Sequence, residues 1–444
     1  METWERSVRH RPVDDPFGEF FTESIMRVAR ALHDTIGELR GREFLLASAA
    51  VGLSAGMTAT MFYSLGVLIP ALQGEFGWSR SQISLGAVFL TIALFLTGPF
   101  AGRLCDRHGA ALIGSTSLAV YALGIIALAQ FLGSIGQFWV AYFLISVVGA
   151  GSTPIVLVRP ISVVFDRNRG LALGIVLTGA GLAGFWVPRL VAFVTEGYGW
   201  RAAYMSLAAI ALLAAPLVWF GFRTVPESPG SRKETAFPTV GMSLTDARRT
   251  PQFWLLCAMA LGMAVGIAGM IVHLVPQFRD LGADALTAAR IASTVGLASV
   301  AGRMIVGVML DRFAATRVTL VTLGLAALGM FLLWWAGLTY AYPAVILMGL
   351  AAGAEIDLLA YLVSRYFGPR HYSAIYGWLY GVFALGYGFS PFLVGLLREH
   401  YGSYGSALLI CTLLMSISAV LALRLGPYRY GPGSFPAASA PASD

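Results

Sequence analysis

The amino-acid sequence predicts an all-α polytopic membrane protein in which twelve transmembrane helices form two six-helix bundles. Three observations support this fold class: the composition, a series of long apolar segments, and two motifs that recur in the second half. Of the 444 residues, 57% are hydrophobic and only 12% are charged, and that charged fraction is about half of what a soluble domain usually has. The composition therefore largely excludes water-soluble multidomain enzymes.

The apolar segments are long enough to cross a bilayer, since a transmembrane helix needs about 20 predominantly apolar residues. The longest polar connection between them, residues 223–250, divides the segments six and six, which predicts two bundles of equal size. The spans are predicted at about 44–73, 82–103, 111–132, 137–164, 170–195, 202–222, 252–277, 285–310, 317–336, 342–366, 373–397 and 404–424.

This division gives the chain five regions. Residues 1–42 precede the first span, 43–222 and 251–426 form the two bundles, 223–250 is the linker, and 427–444 is a tail rich in Pro, Ala and Ser that we expect to be disordered. Apolar residues recur at spacings of three and four within the first region, which predicts an amphipathic helix lying along the membrane surface. A docking helix for a partner and a start codon assigned too early are the alternatives.

The distribution of basic residues predicts the orientation in the membrane. With both termini in the cytoplasm, the internal loops and C-terminal tail contain fourteen Lys or Arg residues and the external loops contain five, in agreement with the positive-inside rule. The excess of basic residues in the cytoplasmic loops then explains the net charge of +7. The sequence contains no basic-aromatic patch of the kind that binds nucleic acid. We expect a multi-pass protein of the plasma membrane, the inner membrane in a bacterium.

Two motifs recur in the second half at nearly the same offset. GRLCDRHG and GVMLDRFA place Gly102 and Asp106 205 residues before Gly307 and Asp311. PRLVAFVTEGYG and PFLVGLLREHYG, which begin at Pro188 and Pro391, share the pattern P-x-L-V-x4-E-x-Y-G at an offset of 203. The halves are therefore predicted to be structural repeats. Two six-helix bundles of parallel repeat, with a site at their interface near the midplane, are the architecture of one large class of transporters.

The stretch from Gly98 to Gly109 resembles the G-x-x-x-D-R-x-G signature of the major facilitator superfamily, and the resemblance covers residues 43–426. Within that superfamily, FDRNRGLALG at 165–174 and the following Gly-Ala-Gly are similar to the fifth-span motif of the monocarboxylate transporter and oxalate–formate antiporter branch. Residues 63–80 resemble the end of its first span. The acidic-glycine-aromatic motif at the start of span one in animal monocarboxylate carriers is absent.

Seven ionisable residues lie well inside the predicted spans, where a charge costs about 2.5 kcal/mol or more unless it is paired or hydrated. Residues of this kind are candidates for binding substrate, moving protons or gating the pathway. They are Arg159, Arg189, His273, Arg303, Glu355, Asp357 and Arg365.

Arg303 in the eighth span is the main candidate for binding an anion, because its planar guanidinium matches a carboxylate and stays charged at any pH. The resemblance implies the same role, since an arginine at this position binds the substrate carboxylate in that branch. The monocarboxylate carriers have an aspartate four residues earlier, where this chain has Ser299. The alternative is an arginine that pairs with an acid on a neighbouring helix.

Arg159 and Arg189 are the candidates for a second cation at the site. The resembled antiporter supplies that cation from a lysine in span eleven, but this span contains no lysine. The alternative for Arg159 is an arginine that snorkels to the interface, and the alternative for Arg189 is a pair with Glu355 or Asp357.

Glu355 and Asp357 are the candidates for proton coupling. They lie two residues apart, which separates them by about 200° around a helix, so they cannot both point into one cavity. We expect one acid to face the pathway and the other to pair with an arginine of the opposite bundle. Asp357 is favoured for coupling because it shares a helix face with Tyr361 and Ser364, which could hold a water; Tyr361 is also a candidate for contacting substrate. A static salt bridge between helices is the alternative.

His273, near the external end of the seventh span, could titrate or hydrogen-bond the substrate, and a histidine that packs between helices is the alternative. Arg365 is predicted to gate the cytoplasmic end of the tenth span or to snorkel there. We expect the two repeated loops to act as matched hinges on the cytoplasmic side. Their residues are Gly102, Arg103, Asp106, Arg107, Asp311 and Arg312.

Together these features predict a secondary active transporter that moves a small organic anion, a monocarboxylate, by alternating access. Proton symport or exchange against another anion would drive it, without a cofactor, because no phosphate-binding loop or metal-ligand pattern is present. The expected partners are the anion, protons or a counter-anion, and membrane lipids, and the expected functional unit is a monomer. The alternatives are a proton-coupled efflux carrier for a larger amphipathic compound, a membrane-embedded enzyme and a non-transporting receptor.

Overall fold

The structure of the protein is a computed structural model, and all regular elements within the described residues are helical. The predicted amphipathic helix at the N-terminus, most of the linker and most of the C-terminal tail lie outside those residues. The structure describes residues 41–165, 169–223, 241–368 and 370–430.

Ten helical stretches of the described residues are long and apolar enough to cross a membrane. Two of them, Ala172–Phe222 and Ala315–Phe367, each contain two consecutive transmembrane helices. The first is bent at Gly199, where φ is 84°, a conformation that glycine adopts without strain. The predicted set of twelve transmembrane helices is therefore confirmed.

The twelve helices are labelled α1 to α12 in chain order. Two of them are interrupted. The first is α1, at Gly56, whose backbone is extended. The second is α4, just before Pro154, because the residue ahead of a proline avoids helical geometry. A short helix, Leu244–Arg248, precedes α7. The bounds are α1 Glu43–Ala55 and Met57–Phe76, α2 Arg80–His108, α3 Ala110–Phe131, α4 from Ile135–Gly149 to Arg159–Val164, α5 169–198, α6 200–222, α7 Pro251–Asp280, α8 Ala285–Arg312, α9 Ala315–Ala336, α10 Ala341–Phe367, α11 Tyr372–Tyr401 and α12 Gly405–Leu423.

The repeated Gly-to-Asp motif, for which the sequence predicts loops, is helical in both halves. Residues 102–107 form the last turns of α2, and the equivalent residues end α8 at Arg312. The chain leaves α2 only at Gly109, where φ is 83°. The prediction of loops is therefore wrong here, because both helices continue past their most apolar segments and place the motif residues on helix ends.

Among the described residues, the main helix contacts between the bundles are α5 with α8, α2 with α11, and α1 with α7. Glycines make these contacts close, since a Cβ at Gly296 of α8 would overlap the backbone of α5 at Phe185. A Cβ at Gly388 of α11 would overlap Thr91 of α2, and one at Gly66 of α1 would overlap the backbone of Val272. Small residues allow such approach between membrane helices.

Candidate substrate site

A cavity of about 750 Å³ lies between the two bundles, with walls from both. It extends from the middle of the helices to Gly98 and Gly102 of α2 and Gly377 of α11. These residues lie near the helix ends that carry the repeated motif, so the cavity points toward that end of the protein. The size and the mostly apolar lining with few polar groups are typical of a small-molecule site.

Charged side chains are rare in the lining: among the described residues it contains one cation, Arg303, and one acid, Glu355. Hydroxyl groups supply most of the remaining side-chain polarity. They belong to Thr58, Tyr63, Thr91, Tyr142, Ser152, Thr153, Thr178, Ser299, Tyr380 and Tyr387.

Arg303 is held in place by close packing of α8 against α10. A Cβ at Gly302 would overlap the backbone of Leu350, and one at Gly353 would overlap the carbonyl of Ser299. The two backbones can therefore approach closely enough for Arg303 Nε to donate to the carbonyl oxygen of Gly353 at 3.3 Å.

The same nitrogen of Arg303 lies 3.1 Å from Oδ2 of Asp357. Both contacts use Nε, so within the described residues the two terminal nitrogens of the guanidinium have no hydrogen-bond partner. A quarter of the Arg303 side chain is exposed, and the residue lines the cavity. The terminal donors are therefore available to a ligand.

The two acids of α10 occupy different environments, in line with their angular separation. Asp357 pairs with Arg303 of its own bundle, which differs from the expected pair with an arginine of the opposite bundle. Glu355 is 1% exposed and lines the cavity, and its Oε1 has no hydrogen-bond partner among the described residues. The acid that lines the cavity is therefore Glu355, whereas Asp357, the acid favoured for coupling, contacts Arg303 and is not among the lining residues.

The other candidate arginines lie outside the cavity lining. Arg159 pairs with Asp106 at 3.0 Å, and its Nη1 donates to the carbonyl of Cys105 at 2.6 Å, which ties α4 to the end of α2. Arg189 lies over the ring of Phe185, 3.8 Å from its centroid, and donates to the carbonyl of the same residue. The structure therefore does not bring Arg159 or Arg189 beside Arg303.

Tyr361 and Arg365 also lie outside the lining. Nη2 of Arg365 donates to the Tyr361 hydroxyl at 3.0 Å, and the Arg365 carbonyl accepts from the backbone of Tyr430. The remaining predicted gating residues end α2 and α8, where Arg103 lies over the ring of Phe100. These contacts place the predicted gating residues around the end of the protein to which the cavity points.

The opposite end of the protein is closed by an ion-pair network between the bundles. Arg80 of α2 makes a bidentate pair with Asp280 of α7, with distances of 2.7 and 2.8 Å. Arg398 of α11 lies 2.9 Å from the same carboxylate, and Tyr404 accepts from Arg80 at 2.9 Å. Bidentate pairs of this kind are strong and geometrically specific, so they hold the two bundles together at this end.

His273 belongs to this closed end rather than to the cavity. Its side chain is fully buried and contacts the hydroxyls of Ser84 and Tyr404 at 3.1 and 2.9 Å and the carbonyl of Pro391 at 2.9 Å. Nearby, Glu399 accepts from the backbone and hydroxyl of Ser81. The histidine thus packs and hydrogen-bonds between α7, α2 and α11.

Comparisons with known proteins agree with this architecture. A family model described as Major Facilitator Superfamily matches residues 51–377 and 275–442. The chain is 23% identical over 338 residues to the uncharacterized MFS-type transporter YhjX of Escherichia coli (strain K12), which spans 73% of this chain and 81% of that protein. It is 25% identical over 392 residues to monocarboxylate transporter 11 of Homo sapiens, spanning 83% and 80% of the two.

Solved structures show the same fold. A bacterial homologue of the human lysosomal transporter Spinster, in an inward-facing and unoccupied conformation, superposes with a TM-score of 0.64 at 17% identity. The superposition covers 86% of this chain and 95% of that chain. The family match, the fold and the relatives together show a transporter rather than an enzyme. This multi-pass membrane transporter belongs to the major facilitator superfamily.

Proposed function

We propose that the protein transports a monocarboxylate whose carboxylate binds the terminal nitrogens of Arg303. The observation that carries this proposal is that Arg303 lines the cavity and that its two terminal nitrogens have no protein partner among the described residues. A guanidinium fork matches a carboxylate in geometry and charge. The name of monocarboxylate transporter 11, one of the relatives, supports the same substrate class.

We further propose that a proton accompanies the anion and that Asp357 carries it. While Asp357 is ionised, it neutralises Arg303 from the Nε side; once it is protonated, the guanidinium needs another anion. The substrate carboxylate supplies that charge, so anion and proton load together. The monocarboxylate carriers have an aspartate where this chain has Ser299. In this proposal, Asp357 of α10 takes the place of that aspartate. Exchange of one anion for another uses the same site without proton movement.

The experiment that tests this function is counterflow in proteoliposomes. Vesicles preloaded with the unlabelled monocarboxylate that binds the purified protein most tightly should accumulate the same external radiolabelled acid transiently. Vesicles preloaded with its amide should not, because the amide has no charge for Arg303. Equal counterflow with both preloads would contradict carboxylate recognition.

A proton-coupled efflux carrier for a larger amphipathic compound is the second candidate. The volume and apolar lining of the cavity favour it. Counterflow separates the two functions, since a carrier that recognises a larger amphipathic compound by its apolar surface would not depend on the carboxylate charge of the preload.

We propose that the protein lies in the plasma membrane with both termini in the cytoplasm. The cavity then opens to the cytoplasm. The basic residues of the short loops support this orientation. The closed end with Arg80 and Asp280 then faces outward.

Cysteine labelling tests the orientation. In a variant without native cysteines, Arg107→Cys and Arg312→Cys should resist an impermeant maleimide added to intact cells, because both positions end helices on the inner side. Asp284→Cys, in the short connection between α7 and α8, is the control that should react. Labelling of the Arg107 or Arg312 position from outside would contradict the proposed orientation.

A further inference from the structure

We propose that the substrate is a monocarboxylate that bears an aryl group, and that its ring lies against a wall of aromatic side chains in the cavity. The inference rests on the proposed function, because it takes Arg303 as the carboxylate anchor. The aromatic wall consists of Phe62, Tyr63, Tyr380, Phe383 and Tyr387, all of which line the cavity.

The rings of the wall form a continuous series from α11 to α1. Tyr380 and Phe383 have centroids 6.2 Å apart with an interplanar angle of 24°, and Phe383 and Tyr387 are 5.7 Å apart at 31°. Tyr387 then stacks on Phe62 at 4.8 Å and 29°. These separations are those of favourable aromatic pairs, and a further ring could extend the series into the cavity.

The cavity has room beside the wall. Gly377 and Gly381 flank Tyr380 on the lining of α11, and a Cβ at either position would meet no atom within 4 Å. Tyr380 is 43% exposed although its helix faces the other bundle. Gly388, one of the glycines that join the bundles, has no such space. The two open glycines therefore leave a slot in which a planar group can lie against Tyr380.

The anchor and the wall are neighbours. A Cβ at Gly184 would lie 3.0 Å from both the hydroxyl of Tyr63 and the Cα of Gly296, so this ring of the wall lies beside α8, the helix that carries Arg303. A carboxylate on Arg303 can therefore direct its substituent toward the rings. An acid of two or three carbons would leave most of the 750 Å³ empty. The absence of a second arginine or lysine from the described lining disfavours a dicarboxylate. An aryl monocarboxylate satisfies the anchor and fills the apolar space.

Binding of four matched ligands to the purified protein tests the inference. Calorimetry with 3-phenylpropionate, 3-cyclohexylpropionate, propionate and 3-phenylpropionamide separates the charge from the ring. We expect the phenyl acid to bind roughly 2- to 12-fold more tightly than the cyclohexyl acid, the range that corresponds to aromatic contact energies beyond area burial. We expect the amide to bind far more weakly than the phenyl acid.

Two variants locate the ring. Gly381→Leu should fill the slot and weaken binding of the phenyl acid at least about tenfold while sparing propionate, since Arg303 is untouched. Gly174→Leu is the matched control: it is also a helical glycine without a neighbour within 4 Å, but it does not line the cavity.

The outcomes distinguish the two proposals. Equal affinity for the phenyl and cyclohexyl acids, or unchanged phenyl-acid binding in folded Gly381→Leu, would overturn the aryl inference and leave carboxylate transport standing. Equal binding of phenyl acid and amide would overturn the proposed function itself. If none of the three acids binds, both proposals fail.

Discussion

Replacing Arg303 with lysine should weaken carboxylate binding by roughly 10- to 150-fold, although the positive charge is kept. The loss follows from geometry: an ammonium is a point charge and cannot present two parallel donors. Losing one hydrogen bond to a charged group costs about 1.5–3 kcal/mol, and this free energy corresponds to a loss of affinity of roughly 10- to 150-fold. Isothermal titration of the purified variant with the carboxylate that binds the wild type most tightly measures the effect.

The matched control is Arg290→Lys, the same substitution at an exposed position on the same helix, outside the cavity lining. Its affinity should equal that of the wild type. Arg303→Lys should also remain folded, because lysine can still pair with Asp357; a thermal melt checks this. Wild-type affinity in a folded Arg303→Lys variant would rule out bidentate binding by this residue.

The helices were predictable because their signal is local. Each span is a run of apolar residues whose length matches the bilayer, and the six-and-six division follows from one polar connection. The ends were less predictable: α2 continues through Asp106 to His108, since the polar motif ends the apolar run without ending the helix.

The site was only partly predictable, because its contacts join distant parts of the chain. Helical periodicity predicts that Glu355 and Asp357 lie on different sides of α10, and the structure agrees. Periodicity along one helix cannot show that the partner of Asp357 is Arg303 of the same bundle. The network at the closed end was missed, since Arg80 and Asp280 are 200 residues apart. Of the features that the sequence analysis missed, the aromatic wall alone has a signal in the sequence, namely the three- and four-residue spacing of Tyr380, Phe383 and Tyr387.

The proposed transport by alternating access requires the closed end to open while the middle of the interface stays joined. The closed end is joined by charge pairs and by His273, whereas the middle of the interface is joined by glycine contacts such as Gly296 against α5. We therefore propose that the bundles rock about these glycine contacts when the closed end opens.

Replacing Asp357 with asparagine should abolish accumulation of substrate driven by a pH gradient while leaving exchange at equal concentrations intact. Net uptake requires a group that releases its proton on the inner side, and asparagine cannot do this, whereas exchange returns the carrier with substrate bound and needs no proton transfer. Asparagine also no longer neutralises Arg303, so binding of the anion should become stronger at high pH. Uptake and exchange in proteoliposomes with imposed pH gradients measure both activities.

Glu355→Gln is the comparison that identifies the carrier. Glu355 lies two residues away and lines the cavity, as Arg303 does, but it makes no ion pair with Arg303 within the described residues. If Asp357 carries the proton, Glu355→Gln should still accumulate substrate against its gradient, provided that its folded yield matches that of the wild type. The reverse pattern would assign the proton to Glu355. If both variants still show gradient-driven uptake, neither acid carries the proton. If uptake by the wild type does not respond to a pH gradient, the protein is an anion exchanger and the pair of Asp357 and Arg303 is structural.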